Sequence, residues 1–195
     1  MLYAYGAVRP GRLAPAVKGI DGAEVAILEA GGVAVAISEL SSEVEPTRDR
    51  LVQHHRVTMA LLRGGGVAPF RFGNVFAGEA ELRQGLGKRT SELEGKLEAL
   101  AGCVEMSVRH PLPPAGKPRS GTDYLLAKRR RLLAGEQLRA KLGDVVKDWR
   151  QEDRRDHLEL ACLVPAGRVA EFQERLQRAD ATLEVSGPWP PSSFV

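Results

Sequence analysis

The amino-acid sequence predicts an α+β protein with two domains and a proline-rich C-terminal tail. Two strand-like runs joined by a glycine-containing turn, within 23–38, indicate a β-hairpin in an N-terminal domain over residues 1–66. Across residues 67–186, strand-like and helix-like patterns alternate, as expected for a second α+β domain. Residues 187–195 contain three prolines and form the tail.

The N-terminal domain is predicted to be rich in strands. The first strand is Leu2–Val8, and the hairpin strands are 23–28 and 33–38. A helix over 46–62 follows, and three consecutive glycines end it.

The helix over 46–62 carries two adjacent histidines. Helical spacing places four residues on one apolar face: Leu51, His55, Met59 and Leu62. His54 lies at the edge of that face. A lone histidine in such a position is more often a hydrogen-bonded structural residue than a catalyst, and we interpret both residues in that way.

Residues 67–76 are predicted to form the strand that opens the second domain. In an extended chain, Phe70 and Phe72 face one side and Arg71 faces the other. Because a guanidinium does not readily lose its charge, we expect Arg71 to have an acidic or carbonyl partner. A structural salt bridge is the first interpretation, and a contact with another protein is the second.

The rest of the second domain continues the alternation. Five leucines in one phase predict a core-facing helix over 79–100, and strict apolar–polar alternation predicts a strand over 103–109. A strand over 157–164, a helix over 167–179 and a strand over 182–186 follow. This order resembles a ferredoxin-like split β-α-β with an additional helical insertion.

The helical insertion covers residues of about 111–155 and begins with a proline-rich loop. The helix after that loop has an apolar face set by four leucines: Leu125, Leu126, Leu132 and Leu133. Beyond Gly135 the apolar residues, including Trp149, keep helical spacing on a different face, which indicates a kink or two helices. The almost wholly charged segment 147–156 is predicted to be an exposed end.

The tail is stiff and apolar, unlike most chain ends. Its prolines restrict the backbone to extended conformations and it carries two large aromatic residues, Trp189 and Phe194. A pre-ordered segment loses little conformational entropy when it docks. We expect the tail to dock on its own chain, with a partner contact as the alternative.

Composition narrows the possible classes of protein. The 195 residues are 43% hydrophobic and 27% charged, with a net charge of +3, which is typical of a globular protein and too weakly basic for a dense nucleic-acid surface. Lys128–Arg131 is the one concentrated basic run; a solvated helix face is its default interpretation, and an anion or acidic-partner site is the alternative. We expect a cytoplasmic protein, because neither a signal peptide nor a membrane-spanning run is recognisable.

No motif for catalysis or cofactor binding is recognisable in the sequence. The Gly64–Gly66 run lacks the lysine and hydroxyl residue of a phosphate-binding loop, and no ligand spacing for a metal is present. Cys103 and Cys162 lie in apolar strand-like runs, so we interpret them as buried hydrophobic residues. The sequence therefore predicts no enzyme and no cofactor.

Several stretches together resemble the gas vesicle protein F/L family (GvpF/GvpL). The ending from Gly187 to Val195 is close to the family's Gly-Pro-Trp-Pro-Pro-Tyr-Ser-Phe, with Ser192 in place of its tyrosine. Pro69 to Val75 resembles the family's Pro-x-Arg-Phe-Gly-Thr-Val strand. The other similar stretches are Tyr3 to Gly6, His54 to Val57, Val104 to Arg109, Gly121 to Leu125 and Leu163 to Pro165.

The resemblance implies a two-domain α+β protein with a modified ferredoxin-like C-terminal domain. Its implied role is that of a non-catalytic accessory or minor structural protein that binds the hydrophobic shell protein and other accessory proteins and assists gas vesicle assembly, which gives the cell buoyancy. We expect a strand edge or groove near Phe70 to Phe76, together with the tail, to contribute to that contact. The candidate partner-binding or domain-interface residues are Phe70, Arg71, Phe72, Trp189 and Phe194.

Two other classes of function remain open at this point. One is a small ferredoxin-like enzyme or cofactor-binding protein with a pocket served by His54 or His55. The other is an anion or RNA binder that uses Lys128–Arg131, with an affinity that falls steeply as salt rises.

Overall fold

A computed structural model describes residues 1–111, 120–154, 156–179 and 182–195. The chain divides into two compact units. The first unit comprises Met1–Gly102 together with Trp189–Val195, and the second comprises Cys103–Pro188.

The first unit contains five strands and three helices among its described residues. The strands are β1 (Leu2–Val8), β2 (Ala26–Ala30), β3 (Val33–Glu39), β4 (Ala68–Pro69) and β5 (Val75–Phe76). The helices are α1 (Arg48–Arg63), α2 (Glu79–Gly87) and α3 (Thr90–Ala99).

The sheet of the first unit is centred on β1. Its strand order is β2-β3-β1-β4, with β5 also paired to β1, and all of these pairings are antiparallel. All seven residues of β1 are buried, because α1 packs with the core around Tyr3 and Tyr5 while α3 contacts β1, β3 and β4. An alternating strand can bury every residue only when both faces of its sheet are covered.

The second unit contains four strands and two helices among its described residues. The strands are β6 (Cys103–Pro111), β7 (Asp148–Asp153), β8 (His157–Pro165) and β9 (Glu184–Trp189), of which the last ends one residue into the first unit. The helices are α4 (Gly121–Leu142) and α5 (Val169–Ala179). The strand order is β7-β8-β6-β9.

The core of the second unit lies between this sheet and its two helices. Residues Met106 and Cys162 face each other in the antiparallel β6–β8 pair, and both are fully buried. Phe172 and Leu176 of α5 are also buried, since α5 packs against β8 and α4. The buried positions alternate along the first half of β8, whereas Cys162, Leu163 and Val164 are all buried.

The unit boundary differs from the predicted one. The sequence places it after residue 66, whereas the structure places it after Gly102. The reason is long-range strand pairing: β4 and β5, which follow residue 66, pair with β1 at the other end of the domain. The predicted strand 67–76 is thus two short strands, and the predicted helix 79–100 is the two helices α2 and α3.

The predicted helical insertion is also organised differently. Helix α4 runs without interruption through Gly135, where an added Cβ would lie 2.5 Å from Oε1 of Gln151. The segment predicted as an exposed charged end contains β7, so Trp149 lies on a strand rather than on a helix. Backbone pairing with β8 makes this segment a strand. Its charged sequence could not reveal the strand, because an edge strand of charged residues has no apolar–polar periodicity.

The leucines predicted to form the buried face of α4 are exposed. Leu125, Leu126, Leu132 and Leu133 are between 43% and 64% exposed, whereas Leu138 and Leu142 are buried. Packing thus buries the face of α4 that carries Leu138 and Leu142 and leaves the predicted face exposed. The loop predicted at its start falls largely on 112–119, which lies outside the described residues.

The tail differs from a uniformly extended arm. Strand β9 continues beyond the predicted end at Ser186 as far as Trp189, and the Gly187–Pro188 peptide is cis. A short 3-10 turn, Ser192–Phe194, ends the chain.

Candidate partner-binding surface

Helix α1 organises the sequence-predicted site. It begins after Thr47, whose side-chain oxygen accepts a hydrogen bond from the backbone N–H of Arg50 at 3.3 Å. Its buried residues are Val57, Thr58 and Leu61. The predicted buried face is therefore incorrect: Leu51 and His55 are exposed, because the core contacts the adjacent face of the helix.

His54 lies on the core side of α1 and is held by two hydrogen bonds. Its Nε2 is 3.1 Å from the carbonyl oxygen of Phe70, which can only accept, so Nε2 carries the proton. Its Nδ1 is then the acceptor for the Tyr3 hydroxyl at 2.7 Å. Burial lowers the pKa of His54 to about 4, outweighing the opposite effect of the Phe70 carbonyl. His54 is thus a neutral structural residue, as the sequence predicts.

The loop between β4 and β5 is fastened to β1 and α1. The N–H of Phe70 donates to the carbonyl of Tyr5 at 2.8 Å. The ring of Phe72 lies 5.7 Å from that of Tyr3 and 5.8 Å from that of His54. Both phenylalanines are half-buried, and Phe72 packs against the core of the first unit.

Arg71, between the two phenylalanines, is exposed. The predicted salt bridge is not formed: within residues 1–111, 120–154, 156–179 and 182–195, its side chain has no acidic partner. The carbonyl of Arg71 instead accepts a hydrogen bond from the side-chain amide of Asn74 at 2.7 Å. The guanidinium is therefore available to a partner.

The two aromatic residues of the tail have different environments. Phe194 is 6% exposed, and its carbonyl accepts a hydrogen bond from Nζ of Lys96 at 3.3 Å. Trp189 is 37% exposed, and its ring centroid lies 5.4 Å from that of His55 at an interplanar angle of 61°. Pro190 and Pro191 between them are buried. Residues Trp189–Val195 thus belong to the first unit, where Phe194 is buried and Trp189 is half-exposed.

Exposed apolar side chains lie on the outer face of α1 and at Trp189. Helical spacing places Leu51, Val52 and His55 on one side, and Trp189 lies against His55. Leu51 is 45% and Val52 is 49% exposed. We call these four residues the α1–Trp189 surface. The sequence pattern indicates Trp189, but it places Leu51 in the core and does not single out Val52. The helical spacing of His54, Val57 and Leu61, which marks the buried face, is the signal that leaves Leu51 and Val52 exposed.

His54 and His55 do not line the cavities found among the described residues. A cavity of about 650 Å³ is lined by residues that include Met1, Leu28 and Ile37, and neither histidine lines it. No group of three or more metal-ligating side chains occurs among the residues that the structure describes. Within the same residues, no helix is long and apolar enough to cross a membrane. Both ring nitrogens of His54 are already used, which disfavours a role as a general base.

Comparison with known proteins identifies the family. The family model described as gas vesicle synthesis protein GvpL/GvpF matches residues 1–152 and 125–195. Gas vesicle protein F from a Streptomyces species is 26% identical over 208 aligned positions, covering 88% of this chain and 87% of that protein.

Solved structures share the fold. The crystal structure of GvpF from Anabaena sp. PCC7120 matches with a TM-score of 0.83 at 20% identity and covers 99% of this chain and 94% of its own. The GvpF structure from Microcystis aeruginosa matches with a TM-score of 0.79 at 19% identity, covering 99% and 98%. The mixed α+β fold and the resemblance are thereby confirmed, and the chain belongs to the gas vesicle GvpL/GvpF family.

Proposed function

We propose that this protein is a non-catalytic accessory or minor structural component that binds the hydrophobic shell protein and assists gas vesicle assembly. It acts in the cytoplasm and at the gas vesicle, together with other accessory proteins. Membership of the family supports the gas vesicle role. The observation that carries the binding proposal is the α1–Trp189 surface. Leu51, Val52 and Trp189 are exposed there, and Trp189 lies against His55, which shares a helix face with the other two.

The physical argument rests on the chemistry of the partner. A subunit that builds a water-excluding wall exposes apolar surface before it assembles, and this exposure favours aggregation. A partner that covers part of that surface delays aggregation without any chemical step. Trp189 suits this role because a tryptophan held by its neighbours presents a large contact area at little entropic cost. The exposed Arg71 of the same unit offers a charged contact.

We further infer that the second unit is a ferredoxin-like domain. The order β6-α4-β7-β8-α5-β9 and the strand order β7-β8-β6-β9 support this. In this assignment α4 is the first helix of the domain rather than part of an insertion.

Binding of the full chain to immobilised shell protein tests the function. We expect Leu51→Ser combined with Val52→Ser, and separately Trp189→Ala, each to weaken binding by about tenfold. Leu13→Ser is the matched control, because Leu13 is 89% exposed in the same unit and lies outside the α1–Trp189 surface. Point substitutions are preferable to removing the tail, since truncation would also delete the buried Phe194.

Two results would contradict the proposal. Wild-type protein that the immobilised shell protein does not retain at any concentration tested would exclude direct binding. Equal retention of the wild type and the α1 double variant would remove this surface from the contact.

A further inference from the structure

Helix α4 presents an apolar face that nothing in the second unit covers among the described residues. Its leucine face, defined as Leu125, Leu126, Leu132 and Leu133, is between 43% and 64% exposed. It lies roughly opposite the side on which Leu138 and Leu142 are buried. A helix in water normally has one apolar stripe, so a second stripe indicates a further contact.

The spacing of the leucine face is that of a helix–helix seam. Leu125 and Leu132 are one heptad apart, as are Leu126 and Leu133. Arg129 lies between the two leucine pairs, three or four residues from each member. Repeated apolar pairs with one polar residue between them form the pattern by which a coiled-coil seam fixes its register.

The charges around this face are mostly positive. Lys128 and Arg130 flank it, and Arg129 lies within it. None of these three has an ion-pair partner among the residues described, whereas Arg131 on the other side pairs with Asp153. These three positive charges, two on the flanks and one at the centre, therefore favour carboxylates on a segment that covers the leucine face.

We propose that the leucine face of α4 binds an amphipathic helix of another protein, which carries apolar residues at heptad spacing, acidic residues on both flanks and a carboxylate opposite Arg129. This inference does not rest on shell-protein binding, since the α1–Trp189 surface belongs to the other unit. Two copies of α4 would bring like charges together, which disfavours self-association. Insertion into lipid would bury the Arg129 guanidinium among acyl chains, which disfavours a membrane.

A designed peptide tests the proposal on the full-length protein. The probe is a fluorescein-labelled helix of about three heptads with leucines at a and d, glutamates at e and g, and one glutamate at the central a position. Its glutamates keep the peptide from pairing with itself. The control peptide replaces every glutamate with lysine. Binding is followed by fluorescence anisotropy, and circular dichroism verifies that each variant is folded.

We expect the acidic peptide to bind and the lysine peptide not to bind. Leu132→Ser should weaken the binding of the acidic peptide by about tenfold or more, whereas Leu13→Ser should leave that binding unchanged. Arg129→Glu should weaken the binding of the acidic peptide. A third peptide, which keeps the flanking glutamates but has lysine at the central a position, should bind this variant better than it binds the wild type, a result that loss of folding cannot produce.

The remaining outcomes overturn the proposal. They are no binding of the acidic peptide, and binding that neither Leu132→Ser nor Arg129→Glu changes. Leucine-dependent binding to phosphatidylserine vesicles without peptide binding would assign the face to lipid instead. A dimer in sedimentation that Leu132→Ser dissolves would assign it to a second copy of this chain.

Discussion

The Nδ1 atom of His54 lies 2.7 Å from the hydroxyl oxygen of Tyr3, and this contact joins α1 to β1 across the core of the first unit. The same hydroxyl oxygen accepts a hydrogen bond from the backbone N–H of Gly73 at 3.2 Å. One buried tyrosine thus connects the central strand, the helix and the β4–β5 loop. Burial raises the pKa of Tyr3, so the hydroxyl stays protonated and remains a donor to His54.

This pair predicts a dependence of stability on pH. The pKa of His54 is about 4 in the folded protein, below its ordinary value near 6.5. Between these pH values the unfolded chain binds a proton that the folded chain does not, so the free energy of unfolding rises with pH. The stabilisation is complete above pH 6.5 and is lost as the pH falls toward 4, by at most about 3 kcal/mol. Urea denaturation across this pH range measures it.

Replacing each of the two adjacent histidines in turn identifies the source of the pH dependence. His54→Asn should reduce the slope of the curve between pH 6.5 and 4, and His55→Asn is the control for a substitution on the exposed face of the same helix. A curve that keeps its full slope in His54→Asn would assign the effect to other groups.

Two glycine substitutions are expected to have opposite effects on stability. A Cβ added at Gly19 would lie 2.5 Å from Oγ of Ser38 and closer still to the buried Tyr5 hydroxyl, so Gly19→Ala should destabilise by about 1–3 kcal/mol. Gly95 lies in α3 with no atom near its added Cβ, so Gly95→Ala should stabilise by about 0.5–1 kcal/mol. Denaturant midpoints measure both. A neutral Gly19→Ala would show that the Tyr5–Ser38 hydrogen bond adjusts easily.

Substitutions of the two aromatic residues in the tail are expected to differ in their effects on stability and on binding. Phe194→Ala removes a buried ring and should lower the free energy of unfolding by about 3 kcal/mol. Trp189→Ala removes a half-exposed ring and should lower the free energy of unfolding by only about 1 kcal/mol, while it weakens the proposed shell-protein contact. Thermal denaturation of the two variants makes the comparison. If Trp189→Ala were the more destabilising, the tryptophan would be chiefly structural.

Both cysteines are expected to be unreactive in the folded protein. They are free thiols, and burial raises the pKa of each. Ellman's reagent should therefore label neither at neutral pH until denaturant is added, and then both. Cys103→Ala leaves only Cys162 to be followed. Rapid labelling of Cys162 in the folded variant would contradict its complete burial in β8.

Element type was largely predictable from the sequence, and the choice of buried face was not. Helix α1 and the β2–β3 hairpin were predicted close to their observed bounds, because capping residues, glycine turns and β-branched runs act locally. Helices α1 and α4 each carry two sets of apolar residues at helical spacing. The spacing alone does not show which set is buried. In α1 the core selects Val57 and Leu61, so Leu51 is exposed.

The candidate surface was predicted only in part for the same reason. Trp189 was identified because a proline-rich tail with a large aromatic residue is unusual in composition. Its position beside His55 depends on a contact between residues 134 positions apart, which no local pattern encodes. Arg71 was expected to form an ion pair, and tertiary packing placed no acidic residue near it within the described parts of the chain.

The sequence by itself determined the α+β class, the family resemblance, the buried cysteines and the structural role of His54, because these depend on composition, local spacing and short motifs. Tertiary structure decided that β4 and β5 join β1, that the first unit extends to Gly102, and that 148–153 is a strand. It also decided which leucines of α4 are exposed. The physical reason is that strand pairing and core packing join residues far apart in the chain, and their energy outweighs the weak local preferences of short or charged segments.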